Sequence, residues 1–220
     1  MNLCLFDLDH TLLPIDSDHA WGEFVVTLGW AEAAAQRAEN DRFYAAYQDG
    51  TLDIHAYVEF ATRAWRGRAP AEQAAAQARF VTEVIGPAIR PAARALVERH
   101  RDELCAIVTA TNEFVTRPIA ELFGVEALIA IELDRDARGA ATGRIRGVPS
   151  FREGKIRRVE QWLAAQGRHV QDFERVTVYS DSPNDLPLLE LATHPVATNP
   201  SAALEAIARE RGWSILNLFP

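Results

Sequence analysis

The sequence predicts an α/β protein: a parallel sheet flanked by helices, with an all-helical domain inserted after the first strand. Three observations carry this prediction. From about residue 90 onward, short apolar runs alternate with segments of helical period, the pattern of parallel strands joined by crossover helices. Between Pro14 and Ile85 no strand-like run occurs, and the spacing reads as about four helices over roughly 70 residues. Several apolar runs also end on acidic or hydroxyl residues, which in open parallel sheets stand at the rim where ligands bind.

The elements follow in order. Leu3, Leu5 and Phe6 form a buried strand that stops at Asp7-Leu8-Asp9. Pro14 breaks the chain, and Asp16-Ser17-Asp18 offers a helix N-cap ahead of a face made by Trp21, Phe24, Val25 and Leu28. Further helices are expected over Ala31–Tyr47, Ile54–Trp65 and Pro70–Val84, punctuated by Gly50, Gly67 and Gly86. The aromatic residues concentrate in this stretch, as in a small bundle burying one aromatic face. Gly86-Pro87 and Pro91 mark the return. The predicted boundaries are residues 1–14 and 89–220 for the α/β domain and 15–88 for the helical one.

After the return come a helix over Pro91–His100 and a second strand, Leu104–Val108, ending on Thr109. A helix over Asn112–Leu122 is capped by Gly124, and Ala127–Ile131 is a third strand. Glycines at 139, 143 and 147 turn Ala140–Val148 into a hairpin or flap. A helix over Glu153–Ala165 carries Lys155 in its first turn, and Val176–Tyr179 is a fourth strand ending on Ser180-Asp181. A helix at Leu186–Leu191, a strand at Pro195–Thr198, a helix at Ala202–Arg211 and an edge strand at Ile215–Leu218 complete the chain.

Bulk properties narrow the function. With 220 residues, 48% hydrophobic and 25% charged, the chain suffices for one substantial core or one domain with an insert. A net charge of −8 without a basic cluster excludes a nucleic-acid partner. No apolar run approaches a membrane span and no secretory leader precedes the first strand, so a cytoplasmic protein, monomer or homodimer, is expected. Cys4 and Cys105 read as small buried hydrophobes, and His10, His55 and His194 as surface or core residues.

With all strands parallel, Asp7 and Asp9, Thr109, and Asp181 with Asp185 gather on one rim. Asp7, Asp181 and Asp185 are hard oxygen donors suited to Mg²⁺, and Thr109 offers a hydroxyl and neighbouring amides, Ala110 included, to an anion. Lys155 puts a cation where the helix dipole disfavours one, which an anionic partner would explain.

Together, Asp7-Leu8-Asp9-His10-Thr11-Leu12, Ile107-Val108-Thr109, Gly154-Lys155 and Tyr179-Ser180-Asp181-Ser182-Pro183-Asn184-Asp185 resemble the four motifs of the haloacid dehalogenase-like phosphohydrolases. Order and spacing match across nearly the whole chain, and the helical insert resembles the cap of the phosphoserine-phosphatase-like branch. The resemblance implies a Rossmann-like core and a small-molecule phosphate ester as substrate. Asp7 would be the nucleophile, giving an aspartyl-phosphate, with Asp9 as acid and base. Thr109 and Lys155 would hold the phosphoryl oxygens, with Ala110 and Asn184 also at the substrate. Asp7, Asp9 (through its carbonyl), Asp181 and Asp185 would serve Mg²⁺.

Phosphoserine-specific relatives carry a Glu after the first motif and a cap Arg that pairs with the substrate carboxylate. Here Asp16 falls at the first position and an ungapped match places Glu59 at the second. The two acids suit a cationic amino-alcohol phosphate such as histidinol phosphate. Phosphoserine hydrolysis, phosphoryl transfer to an alcohol and non-catalytic Mg²⁺ binding are the alternatives. A dinucleotide site is excluded, because no Gly-x-Gly-x-x-Gly follows the first strand.

Overall fold

The computed structural model describes residues 1–219. Strand β1 (Asn2–Phe6) leads directly into four inserted helices, α1 (Ser17–Thr27), α2 (Ala33–Gln48), α3 (Ile54–Arg63) and α4 (Pro70–Phe80). A π-helical turn, Val81–Ile85, and the short α5 (Gly86–Ala88) close the insert. The chain then runs through α6 (Pro91–Glu98), β2 (Leu104–Asn112), α7 (Glu113–Phe123) and β3 (Ala127–Ile131). An antiparallel pair, β4 (Leu133–Arg135) and β5 (Ala141–Ile145), precedes α8 (Glu153–Ala164) and β6 (Arg175–Ser180). Last come α9 (Leu186–Leu191), β7 (His194–Thr198), α10 (Ala202–Arg211) and β8 (Ser214–Leu216).

Six strands form one parallel sheet in the order β3-β2-β1-β6-β7-β8. The chain winds outward from β1 in both directions, so the ends of β1, β2 and β6 flank the point where strand order reverses. That crevice is where open α/β sheets bind ligands. Side chains alternate across the sheet as the pleat requires. Leu3, Leu5, Ala106, Val108, Val176 and Val178 pack under α8, α9 and α10; Cys4, Phe6, Ile107 and Tyr179 face α6, α7 and the insert.

The insert has no core of its own. Its apolar residues and those of one sheet face form one continuous cluster. Trp65 stacks on Phe114 at 3.9 Å between ring centroids, and Trp21 meets the same ring edge-on. Helices α1 and α2 cross closely at Gly22, where a Cβ would stand 2.6 Å from the Asn40 amide. Asp16, Glu32 and Asp53 cap α1, α2 and α3 through their carboxylates.

Three local details differ from the sequence pattern. Strand β2 continues past Thr109 to Asn112 because its pairing with β3 shifts register between Val108 and Asn112. Asn112 then caps α7 by accepting from the Val115 amide. The fourth inserted helix loosens into the π turn at Val81, and β4 was not visible in the sequence pattern. Cys4 and Cys105 are register partners on β1 and β2, both free thiols. Cys4, His100 and Glu103 place ligand-type atoms within 4.8 Å of one another. The His100 ring, however, is engaged by the Tyr179 hydroxyl at 2.9 Å and by Glu103 at 3.0 Å. Among the described residues no helix is long and apolar enough to cross a membrane.

Candidate active site

Asp7 follows β1 directly, its amide donating to the Tyr179 carbonyl of β6 at 2.9 Å, so the sheet fixes its backbone. Its two carboxylate oxygens have different partners. Oδ1 accepts from Lys155 Nζ at 2.8 Å, and Oδ2 accepts from the Thr11 hydroxyl at 3.0 Å. Thr11 also reaches Asp181 Oδ1 at 3.3 Å, bridging the ends of β1 and β6. The Lys155 ammonium, only 1% exposed, simultaneously contacts Asp185 at 2.7 Å, and Asp185 accepts from Ser180 Oγ at 2.7 Å. Gly154 makes this placement possible: a Cβ there would lie 2.1 Å from the Pro149 carbonyl oxygen. Only glycine lets the start of α8 come close enough to bring Lys155 inward.

Electrostatics at the rim are unbalanced. Burial raises the Asp7 carboxyl, Lys155 pulls it back and Asp185 pushes it up again. Asp181 is pushed well above the usual carboxylate range by burial, then by Asp7 and Asp185. Burial works against the Lys155 charge, but Asp185 and Asp7 outweigh it, and the ammonium is held more firmly than usual. One ammonium thus serves several carboxylates, and the excess charge calls for a proton or a cation.

Asp9 lies beside Asp7 with its side chain turned toward the insert. Its Oδ1 accepts from the Ser17 amide at 2.7 Å and its Oδ2 from the Thr111 hydroxyl at 2.9 Å. Burial pushes this carboxyl well up, and Asp16 and Asp7 add to the effect. A carboxyl that keeps its proton is what a general acid needs. Thr111 and Ser17 were not singled out in the sequence; Thr111 could have been, as the residue two beyond Thr109 on the same strand face.

A small cavity of about 40 Å³ opens on this rim. Asp7, Asp9, Thr109, Ala110, Thr111 and Asp181 line one end, and Asp16, Phe43, Tyr44, Tyr47 and Tyr57 from the insert line the other. Aromatic residues read as bundle core therefore form a cavity wall. No Lys or Arg contributes to the lining. Asp16 both caps α1 and faces this space. Its Oδ1 accepts from the Asp18 and His19 amides at 3.0 and 2.8 Å.

Two expected substrate residues stand elsewhere. Glu59 is on the outer face of α3, its side chain 71% exposed and 4.0 Å from Arg66. The reason is helical phase: α3 buries Ile54, Val58, Phe60 and Thr62, which turns position 59 to solvent and position 57 toward the cavity. Asn184 also misses the cavity. The turn Pro183–Asp185 points Asp185 inward, while Asn184 Nδ2 donates to the Tyr47 carbonyl at 3.0 Å and its Oδ1 accepts from Arg152 at 3.3 Å. Asn184 ties α2 to the sheet domain. Of the histidines, His55 and His194 are exposed, whereas His10 lines the cavity and contacts the Tyr44 hydroxyl at 3.0 Å.

The parallel sheet gathers acids, a hydroxyl and a buried lysine at its switch point, where open α/β sheets bind ligands. The model of the haloacid dehalogenase-like hydrolases matches residues 4–190, and the chain belongs to that family. A histidinol-phosphatase of Neisseria meningitidis is 43% identical over 98% of this chain and 98% of its own. A phosphoserine phosphatase of Mycobacterium tuberculosis is 30% identical, over 96% of this chain and 68% of that protein. Among solved structures, a protein of unknown function from Bordetella pertussis superposes with a TM-score of 0.93 at 47% identity, covering 99% of both chains. The chain is thus an enzyme, a hydrolase of the phosphatase type.

Proposed function

We propose that the enzyme hydrolyses a small phosphate monoester through an aspartyl-phosphate on Asp7. The observation that carries this reading is the buried Asp7 carboxylate at the cavity floor, held by an ammonium on one oxygen and a hydroxyl on the other. Asp7 attacks phosphorus in line and the ester oxygen leaves with the proton of Asp9. Asp9, now ionised, takes a proton from the water that cleaves the acyl phosphate. Thr109 and the Ala110 amide hold the phosphoryl oxygens, and Lys155, bonded to Asp7, offsets the charge that builds on them.

Mg²⁺ fits the rim. Its donors are all oxygen, and Asp181 carries a strongly raised carboxyl with only the Thr11 hydroxyl as a side-chain partner. Asp7, Asp181 and the Asp9 carbonyl would hold the ion, with Asp185 supporting through Lys155. When bound, the ion would offset negative charge on the phosphoryl group.

The substrate we favour is a cationic amino-alcohol phosphate such as histidinol phosphate. The absence of Lys and Arg from the lining favours it over phosphoserine, whose carboxylate would meet no cation there. The Neisseria relative's name points the same way. The space between rim and insert is about 40 Å³, and residues 15–88 act as a cap that swings clear to admit substrate. Turnover of histidinol phosphate and phosphoserine, with Mg²⁺ or with EDTA, by wild type and Asp7→Asn tests all of this. Expected is Mg²⁺-dependent release of phosphate, preference for histidinol phosphate and loss in the variant. Clear preference for phosphoserine overturns the substrate, and no hydrolysis of either ester overturns the reaction. Acceptor alcohols added to the assay separate hydrolysis from phosphoryl transfer.

A further inference from the structure

We propose that Arg152 and Asn184 form a clasp on the last turn of α2, and that this clasp couples closure of the insert to the Lys155–Asp185 pair. Arg152 is thereby a positioning residue that acts through Lys155. The coupling rests on the phosphatase reading above; the clasp itself does not.

The clasp consists of three hydrogen bonds. The Arg152 guanidinium donates through Nη2 to the Gly50 carbonyl, just beyond α2, and through Nε to Asn184 Oδ1 at 3.3 Å. Asn184 Nδ2 donates in turn to the Tyr47 carbonyl at 3.0 Å. Both carbonyls lie at the C-terminal end of α2, where the helix dipole favours a cation. The Phe151 ring supports the guanidinium at 4.9 Å and stands 6.3 Å from the ring of Tyr47, a residue of the cavity wall.

The clasp is joined to the rim on both sides. Arg152 has φ 51° and ψ −125°, a backbone that residues other than glycine rarely adopt and that persists only where its surroundings impose it. A tight turn imposes it here. The Phe151 amide donates to the Pro149 carbonyl at 2.8 Å, and the Lys155 amide to the Arg152 carbonyl at 2.9 Å. Asn184 immediately precedes Asp185. Each half of the clasp thus adjoins one member of the buried pair, in which Lys155 Nζ meets Asp185 at 2.7 Å and Asp7 at 2.8 Å. An insert that swings clear carries Tyr47 and Gly50 away. Arg152 and Asn184 then lose their partners together, beside the two residues whose contact orders Asp7.

Amide hydrogen exchange over residues 45–51 tests the clasp without substrate. There the Asp49 and Thr51 amides donate to the Ala45 and Ala46 carbonyls at 2.9 Å. Arg152→Met keeps the stem and removes the donors; it should speed this exchange about 10-fold, as for a lost hydrogen bond from a charged group, with β1 and β6 still protected. Asn184→Ala should act alike, and the two together should be less than additive. In turnover of histidinol phosphate with Mg²⁺, Arg152→Met should lower kcat about 10-fold, and Arg152→Lys should recover part of the loss. In a Lys155→Met background, Arg152→Met should change kcat less than about 2-fold. Unchanged exchange in both variants overturns the clasp. Faster exchange with unchanged kcat, or an undiminished loss in the Lys155→Met background, overturns the coupling. A wild type that hydrolyses no ester removes the reaction and the coupling with it, while exchange still decides the clasp.

Discussion

The two ends of the cavity are built differently. At the proposed phosphate end, Asp7, Thr109 and Asp181 stand at strand ends, fixed by sheet pairing, and Lys155 bonds Asp7 from the first turn of α8. At the tail end, Asp16 caps one inserted helix and Tyr44 and Tyr57 sit on two others, and all three line the cavity. The first arrangement is preorganised for charge that develops during the reaction. On the proposed reaction the second moves to admit substrate, the space between the two ends being about 40 Å³. On that reading chemistry belongs to the rim and selection to the insert, and the two can be altered separately.

The sharpest way to break that division is at the rim. Asp7→Asn preserves shape but removes the nucleophile, and kcat should fall at least about 10⁴-fold for every ester the enzyme accepts. Tail chemistry should make no difference to this loss. Lys155→Met should cost about 10²- to 10³-fold in kcat. It should also lower unfolding stability by about 3–5 kcal/mol in urea titrations, because Asp7 and Asp185 lose a buried counter-charge. A Lys155→Met enzyme with unchanged stability would mean that the ion pair is not formed in solution.

How far each end was legible in the sequence follows from the same contrast. Asp7, Thr109 and Asp181 could be read because each closes an apolar run, and a parallel sheet brings such closures together whatever the loops do. Lys155 was visible from its awkward position in a first turn. Its direct bond to Asp7 was not, since that depends on Gly154 passing Pro149 closely. At the tail end, Asp16 announced itself as a cap, but Tyr57 looked like any aromatic of an amphipathic helix. Which of positions 57 and 59 faces inward depends on the phase of α3, fixed by the burial of Val58, Phe60 and Thr62 rather than by local pattern. An ungapped match to relatives could not supply that phase.

Asp18, buried behind the cap residue Asp16, gives a smaller effect on stability. Its carboxyl is pushed up to about 7, first by burial and then by Asp16, while Tyr57, Asn112 and His19 pull it back. A carboxyl whose folded pKa lies above its unfolded one favours the folded state fully only below the unfolded value. The benefit is lost as pH rises through the folded value. From about pH 4 to pH 7, wild type should therefore lose up to about 4 kcal/mol relative to Asp18→Asn. Urea titrations at pH 5 and pH 8 should show the variant gaining on wild type at the higher pH. A gap independent of pH would place Asp18 in contact with water or with a cation.

Glu59→Gln should do almost nothing, and that makes it informative. The side chain is largely in solvent, and its one charged neighbour, Arg66, is 4.0 Å away, where an ion pair is worth a few tenths of a kcal/mol. Arg66 is held independently, its Nη1 donating to the Thr142 carbonyl of β5 at 3.2 Å. Neutralising Glu59 should change kcat/KM for histidinol phosphate less than about 2-fold, with no effect on the preference over phosphoserine. A loss of about 10-fold or more would mean that α3 rotates when substrate binds, exchanging the outward face for the inward one. The tail end would then be assembled by the substrate, and the contrast with the preformed rim would be greater still.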